Sequence, residues 1–266
     1  MANDKTSKML VSIVLDRSGS MQSIRAGTIS GFNEYISGLR ADKDTEYNVT
    51  LIQFDAHGAE RGPDLTITCE DVPLKAVPEL TEQLYEPRGS TPLYDAIGEC
   101  ARRTKPDNNG EVRGVTMVII TDGEENASAE FTKDAIRKLV ADKEKQGWTF
   151  VFIGQDIDAY ADGSLLGVRA ANTVSASKAM VGQTYTVTAQ ATMNRAAMNR
   201  SVGVGGASAM SFYSPDEKMA MGDYTPDAAQ TTGGATPPQG ATFPDSVSPP
   251  VVRHTPRKPR KWETHR

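Results

Sequence analysis

The sequence predicts an α/β protein with a doubly wound, mostly parallel central sheet, one antiparallel edge hairpin and helices on both faces. Three observations carry this expectation. Short, nearly continuous apolar runs occur at residues 10–15, 115–121 and 148–154, the pattern of strands buried on both faces. Segments with apolar residues at three- and four-residue steps lie between them, as in helices that cover a sheet. Residues 65–69 alternate soon after another strand-like run, as a hairpin partner does.

Taken in order, residues 1–8 form a polar lead-in, and the first strand contains two valines and an isoleucine and ends at Asp16. A helix follows from Met21, with Ile24, Thr28, Phe32, Tyr35, Ile36 and Leu39 along one face. Residues 46–54 alternate at Tyr47, Val49 and Leu51 and form a second strand. Residues 55–63 turn the chain, with His57 as an exposed loop residue, and 72–84 are a mixed connection after the hairpin partner. Pro92 opens the second helix, since proline is favoured at a first helical position. Leu93, Ile97, Cys100 and Ala101 form its inner face, and the polar stretch 104–114 ends it. A third helix spans 129–146, with Phe131, Ala135, Ile136, Leu139 and Val140 inward and Gly147 as its stop. After the strand at 148–154 come a helix at 157–166 and a short last strand at 172–175. Residues 178–200 keep helical spacing at Val181, Tyr185, Ala189, Met193 and Ala197, which their threonines weaken.

After Val202 the composition shifts to Gly, Ala, Ser, Thr and Pro, and nine of the chain's 15 prolines lie from Pro215 onward. Such a segment lacks the apolar content to offset its ordering entropy. The expected division is therefore a folded domain at 1–202 and a disordered tail at 203–266. The tail ends in a basic stretch at 253–262 that closes on Trp262. That stretch reads either as a solvated charged tail or as a docking peptide for an acidic partner or nucleic acid.

A net charge of −5 over 266 residues argues against general nucleic-acid binding by the folded part. The two cysteines, Cys69 and Cys100, form no CxxC pair and imply no disulfide framework, which fits a reducing compartment. Nothing before the first strand resembles the apolar core of a signal peptide, and no run reaches membrane-spanning length. A cytoplasmic location is expected.

The chemistry gathers where strands end. Asp16, Ser18 and Ser20 form Asp-x-Ser-x-Ser on a turn that Gly19 lets bend sharply, between a central strand and a helix start. In open parallel sheets such crevices hold ligands. One carboxylate and two hydroxyls are hard oxygen donors suited to Mg2+ or Mn2+ rather than zinc. Asp and Ser are also ordinary helix caps, and these residues alone leave both readings open. Two later stretches add to them: Arg88-Gly-Ser-Thr91-Pro places a hydroxyl before the second helix, and the strand at 115–121 runs into Asp122-Gly-Glu-Glu-Asn126.

Together the three loops resemble the von Willebrand factor A (vWA) domain and its metal-ion-dependent adhesion site (MIDAS), whose motif is Asp-x-Ser-x-Ser, then a Thr, then an Asp. The motif maps in order onto Asp16, Ser18 and Ser20, then Thr91, then Asp122. The resemblance covers roughly residues 8–200 and says nothing of the tail. It implies direct metal contact from Ser18 and Ser20, contact largely through water from Asp16 and Asp122, and a Thr91 that changes between the two modes. It also implies an open coordination position that an Asp or Glu of a partner protein fills. Within the group, Asp-Arg-Ser-Gly-Ser-Met and Thr-Asp-Gly-Glu-Glu-Asn-Ala are similar to stand-alone bacterial proteins, some encoded beside tellurite-resistance and stress operons or in phages.

The implied role is metal-dependent protein binding without catalysis, in a bacterial stress or signalling assembly or a phage-linked one. A structural part in a phage or contractile particle is the alternative. A metal-dependent hydrolase is less well supported. Haloacid dehalogenase-like phosphatases need Asp-x-Asp, and Ser18 stands at the second position, where it cannot serve as the acid. There is no phosphate-binding Gly-x-x-x-x-Gly-Lys loop, and His57, His254 and His265 fit no Ser-His-Asp set.

Overall fold

In a computed structural model the described residues are 7–56, 63–108 and 111–223, all within one compact unit of the chain. His57 and the basic stretch at 253–262 lie outside them. The elements in chain order are β1 (Ser7–Asp16), α1 (Arg25–Leu39), β2 (Thr45–Ala56), β3 (Pro63–Pro73), α2 (Leu93–Arg103), the short β4 (Asp107–Asn108) and β5 (Glu111–Val112), β6 (Gly114–Thr121), α3 (Lys133–Glu144), β7 (Thr149–Gln155), α4 (Ala159–Leu165), β8 (Thr173–Ala176), α5 (Val181–Ser208) and α6 (Pro215–Ala220). Six strands form one sheet in the order β3-β2-β1-β6-β7-β8. Within that sheet every pairing is parallel except β2 with β3, the expected antiparallel edge hairpin. No helix among the described residues is long and apolar enough to cross a membrane.

Side chains alternate across a strand, so β1 feeds two cores. Met9, Val11, Ile13 and Leu15 pack with Phe32, Tyr35 and Leu39 of α1 and Tyr185 and Ala189 of α5. Leu10 and Val14 pack on the other face with Ile97 and Cys100 of α2 and Ile136 and Val140 of α3. Helices α1 and α5 approach closely because Gly31 has no side chain: a Cβ there would collide with the Tyr185 ring. Buried threonines do not break α5, since the hydroxyls of Thr184, Thr188 and Thr192 donate to carbonyls one turn back at 2.7–2.9 Å.

From β1 the chain moves to β2 on one side and reaches β6 on the other only after β3 and α2. The strand order therefore reverses at β1, and the crevice beyond the C-terminal ends of β1 and β6 is the ligand position of such sheets. Asp16 and Asp122 sit at those two ends.

Three expectations need correction. The helix after Asp16 does not start at Met21: a 3-10 turn, Gly19–Ile24, comes first. The third helix is shorter than its apolar spacing implies. Asp95 accepts the backbone N–H groups of Ala129, Glu130 and Phe131 at 2.7–3.0 Å, so α3 starts only after the Thr132 cap. The boundary at Val202 falls inside α5, and ordered elements continue to Asp223. Gly203 (φ 77°, ψ 162°) breaks α5 there, and a capping box of Ser214 and Glu217 with Pro215 starts α6. Phe212, Tyr213 and Met221 are buried in the core. Three large anchors among small residues are invisible to average composition. Residues 224–266 lie outside the described set.

Candidate metal centre

Asp16 is fully buried at the end of β1. Its Oδ1 accepts the Ser18 backbone N–H at 2.6 Å, and its Oδ2 accepts the Thr121 hydroxyl at 2.6 Å. Burial raises its pKa from 3.8 to about 6; these hydrogen bonds oppose the rise, and the charge of Asp122 adds a little to it. The Tyr85 hydroxyl fixes the same residue from behind by donating to its carbonyl at 2.7 Å.

The serine hydroxyls make contacts other than helix capping. Ser18 stands at the N-terminus of the 3-10 turn yet makes no side-chain capping bond. Its Oγ lies instead 3.0 Å from Ser20 Oγ, and Ser20 donates to Asp122 Oδ1 at 2.5 Å. The hydroxyls face the acids rather than the helix.

Thr91 arrives from the other side. Asn126 Oδ1 accepts its N–H at 2.8 Å, and the Asn126 N–H donates to its carbonyl at 3.1 Å. Glu125 accepts N–H bonds from Tyr94, Ala127 and Ser128 at 2.7–3.0 Å, tying the α2 start to the loop after β6. The first and second loops are joined by Arg88 N–H to the Arg17 carbonyl (2.8 Å) and Gly19 N–H to the Gly89 carbonyl (3.0 Å). Beneath them lies buried Asp55, whose Oδ1 takes Arg17 at 3.2 Å and whose Oδ2 takes Arg88 at 2.7 Å.

The arrangement fits a hard cation. Gly123 leaves a concavity in which a Cβ would stand 3.1 Å from Thr91 Oγ1, 3.4 Å from Ser20 Oγ and 3.9 Å from Ser18 Oγ. Three hydroxyls thus converge beside two buried acids. Asp122 Oδ2 is buried and without a hydrogen bond. Lys178 Nζ lies 2.9 Å from it, but outside hydrogen-bond alignment, so the contact is one of charge. Among the described residues no group of three His, Cys, Asp or Glu side chains could hold a metal. Hydroxyl oxygens are therefore essential to a site here.

All five residues singled out in the sequence, Asp16, Ser18, Ser20, Thr91 and Asp122, thus meet at one end of the sheet. Asn126, which holds Thr91, and Glu125, which ties the α2 start to the same loop, were missed, although the polar run after Asp122 was a usable signal. Lys178 carried none: only the sheet order brings the end of β8 to this loop.

The fold is that of von Willebrand factor A domains. Among solved structures, the chain is similar to the vWF domain of the type V pili tip protein Mfa5 from Porphyromonas gingivalis (TM-score 0.52, 13% identity, 71% of this chain and 96% of that one). It is also similar to a von Willebrand factor type A protein from Catenulispora acidiphila (TM-score 0.51, 13% identity, 70% of this chain and 43% of that one). A third similar structure is proximal thread matrix protein 1 from the mussel byssus with a zinc-occupied MIDAS motif (TM-score 0.50, 12% identity, 67% of this chain and 46% of that one). The chain thus spans less than half the length of the last two. No protein-family model matches it, and no curated protein matches it in sequence.

Proposed function

We propose that the chain is a divalent-metal-dependent protein-binding module, not an enzyme, that engages a partner's Asp or Glu. The observation that carries this reading is the convergence of the Ser18, Ser20 and Thr91 hydroxyls on the Gly123 concavity, beside Asp16 and Asp122. Ser18, Ser20 and Thr91 would hold Mg2+ or Mn2+ with neutral oxygens, and the two acids would balance its charge. A divalent ion so held keeps much of its positive charge and supplies a position for an outside carboxylate. Asp16 has both oxygens engaged in hydrogen bonds within the protein, which suits positioning rather than nucleophilic attack. Both cysteines are free, in keeping with a cytoplasmic location, and the motif residues favour a bacterial stress, signalling or phage-linked assembly.

Mn2+ titration and a pull-down in Mg2+ or EDTA test the reading. Wild type binds the ion and recovers partners only with metal, Ser18→Ala loses both, and Thr91→Ala retains metal with weaker partner capture. The same partners recovered in EDTA and with Ser18→Ala would overturn it.

A further inference from the structure

Asp16 and Asp122 are both buried, yet the only ion pair either makes among the described residues is with Lys178. Its ammonium reaches Asp122 Oδ2 at 2.9 Å, with the lysine side chain 29% exposed and the aspartate side chain 0%. The opposite oxygen is already taken by Ser20. We propose that Lys178 is the internal counter-ion of this centre: it compensates Asp122 in the metal-free protein, must leave when a divalent cation enters, and thereby sets the metal affinity. The inference rests on the metal reading above and assigns a further residue to it.

The hydroxyls and the ammonium differ in what they tolerate. A serine or threonine hydroxyl can donate to a carboxylate and still offer lone pairs to a cation. The bond from Ser20 to Asp122 and the Ser18–Ser20 contact are therefore compatible with a bound metal. An ammonium has three donors and no lone pair, so it cannot become a ligand, and its charge repels a divalent ion beside the same carboxylate.

The backbone around Lys178 is fixed, which confines the exchange to the side chain. Lys178 begins the 3-10 turn Lys178–Met180 between β8 and α5. Its own N–H donates to Asp156 Oδ1 at 3.1 Å, beyond the end of β7. The preceding residue, Ser177, donates its N–H to the Met221 carbonyl after α6 at 3.2 Å. Rotation of a partly exposed lysine about its own bonds frees Asp122 without disturbing the sheet.

Mn2+ titration calorimetry on the full chain, paired with thermal melts in EDTA, tests this with wild type, Lys178→Met, Lys178→Gln and Lys178→Arg. The Met and Gln variants should bind Mn2+ about tenfold more tightly than wild type, equivalent to about 1.4 kcal/mol. Their metal-free forms should melt below wild type, because Asp122 is then uncompensated, while Lys178→Arg stays close to wild type in both readouts. Gln serves as the control should Met perturb folding. Equal Mn2+ affinities and equal EDTA melts for wild type, Met and Gln overturn this inference alone. No Mn2+ binding by any chain overturns the metal reading, and this inference with it.

Discussion

Replacing Asp16 by Asn should stabilise the metal-free protein near neutral pH. Burial raises the Asp16 pKa from 3.8 to about 6, so the folded chain binds this proton more tightly than the unfolded chain does. That contribution is fully present below the unfolded value of 3.8 and is lost as pH rises through about 6. The shift of about 2 units corresponds to about 3 kcal/mol by pH 7.5. Asn carries no charge to desolvate, but its amide cannot accept the Thr121 hydroxyl as Oδ2 does, a loss of about 1 kcal/mol. The net gain is about 2 kcal/mol, or roughly 4–8 °C in melting temperature for a domain of this size. Melts in EDTA across the acid-to-neutral range measure it: below pH 4 Asp16→Asn lies lower by up to the lost hydrogen bond, the two curves cross between pH 4 and 6, and above pH 6 Asp16→Asn is higher. Saturating Mn2+ should raise wild type and leave the variant unmoved. A variant that melts at or below wild type in EDTA at pH 7.5 refutes the reasoning, because the buried charge would then cost nothing.

Two further outcomes test the packing that holds the site. Asp55→Ala strips a buried carboxylate from between Arg17 and Arg88, and urea unfolding should show a loss of about 3–5 kcal/mol; a loss under about 1 kcal/mol would mean that water replaces the pair. A chain ending at Asp223 should melt with the full chain, whereas one ending at Val202 lacks buried Phe212, Tyr213 and Met221. At about 1.5–3 kcal/mol for each such side chain, the shorter chain should show no cooperative transition by calorimetry.

Much of this protein was determined locally. Apolar runs at β1, β6 and β7, separated by helical spacing, specify a parallel sheet because the side-chain period reports which faces are buried. Asp16, Ser18, Ser20, Thr91 and Asp122 were singled out by the resemblance of their three loops to the vWA motif, and they come to one edge because each stands at a strand end or helix start of a doubly wound sheet. Relations between segments distant in sequence were decided by the tertiary structure. The serine hydroxyls turn from helix capping to the acids because Asp122 is brought to them across the β1–β6 register. Helix α3 gives up its first turn because Asp95, on another helix, takes those N–H groups. Residues beyond Val202 stay in the core because Phe212, Tyr213 and Met221 find room against it, which no average over a Gly- and Ala-rich window reveals. Lys178 stands at Asp122 only because β7 and β8 extend the sheet past β6. Local periodicity reports backbone conformation and the buried face, and a contact between distant segments exists only once the sheet order has placed them side by side.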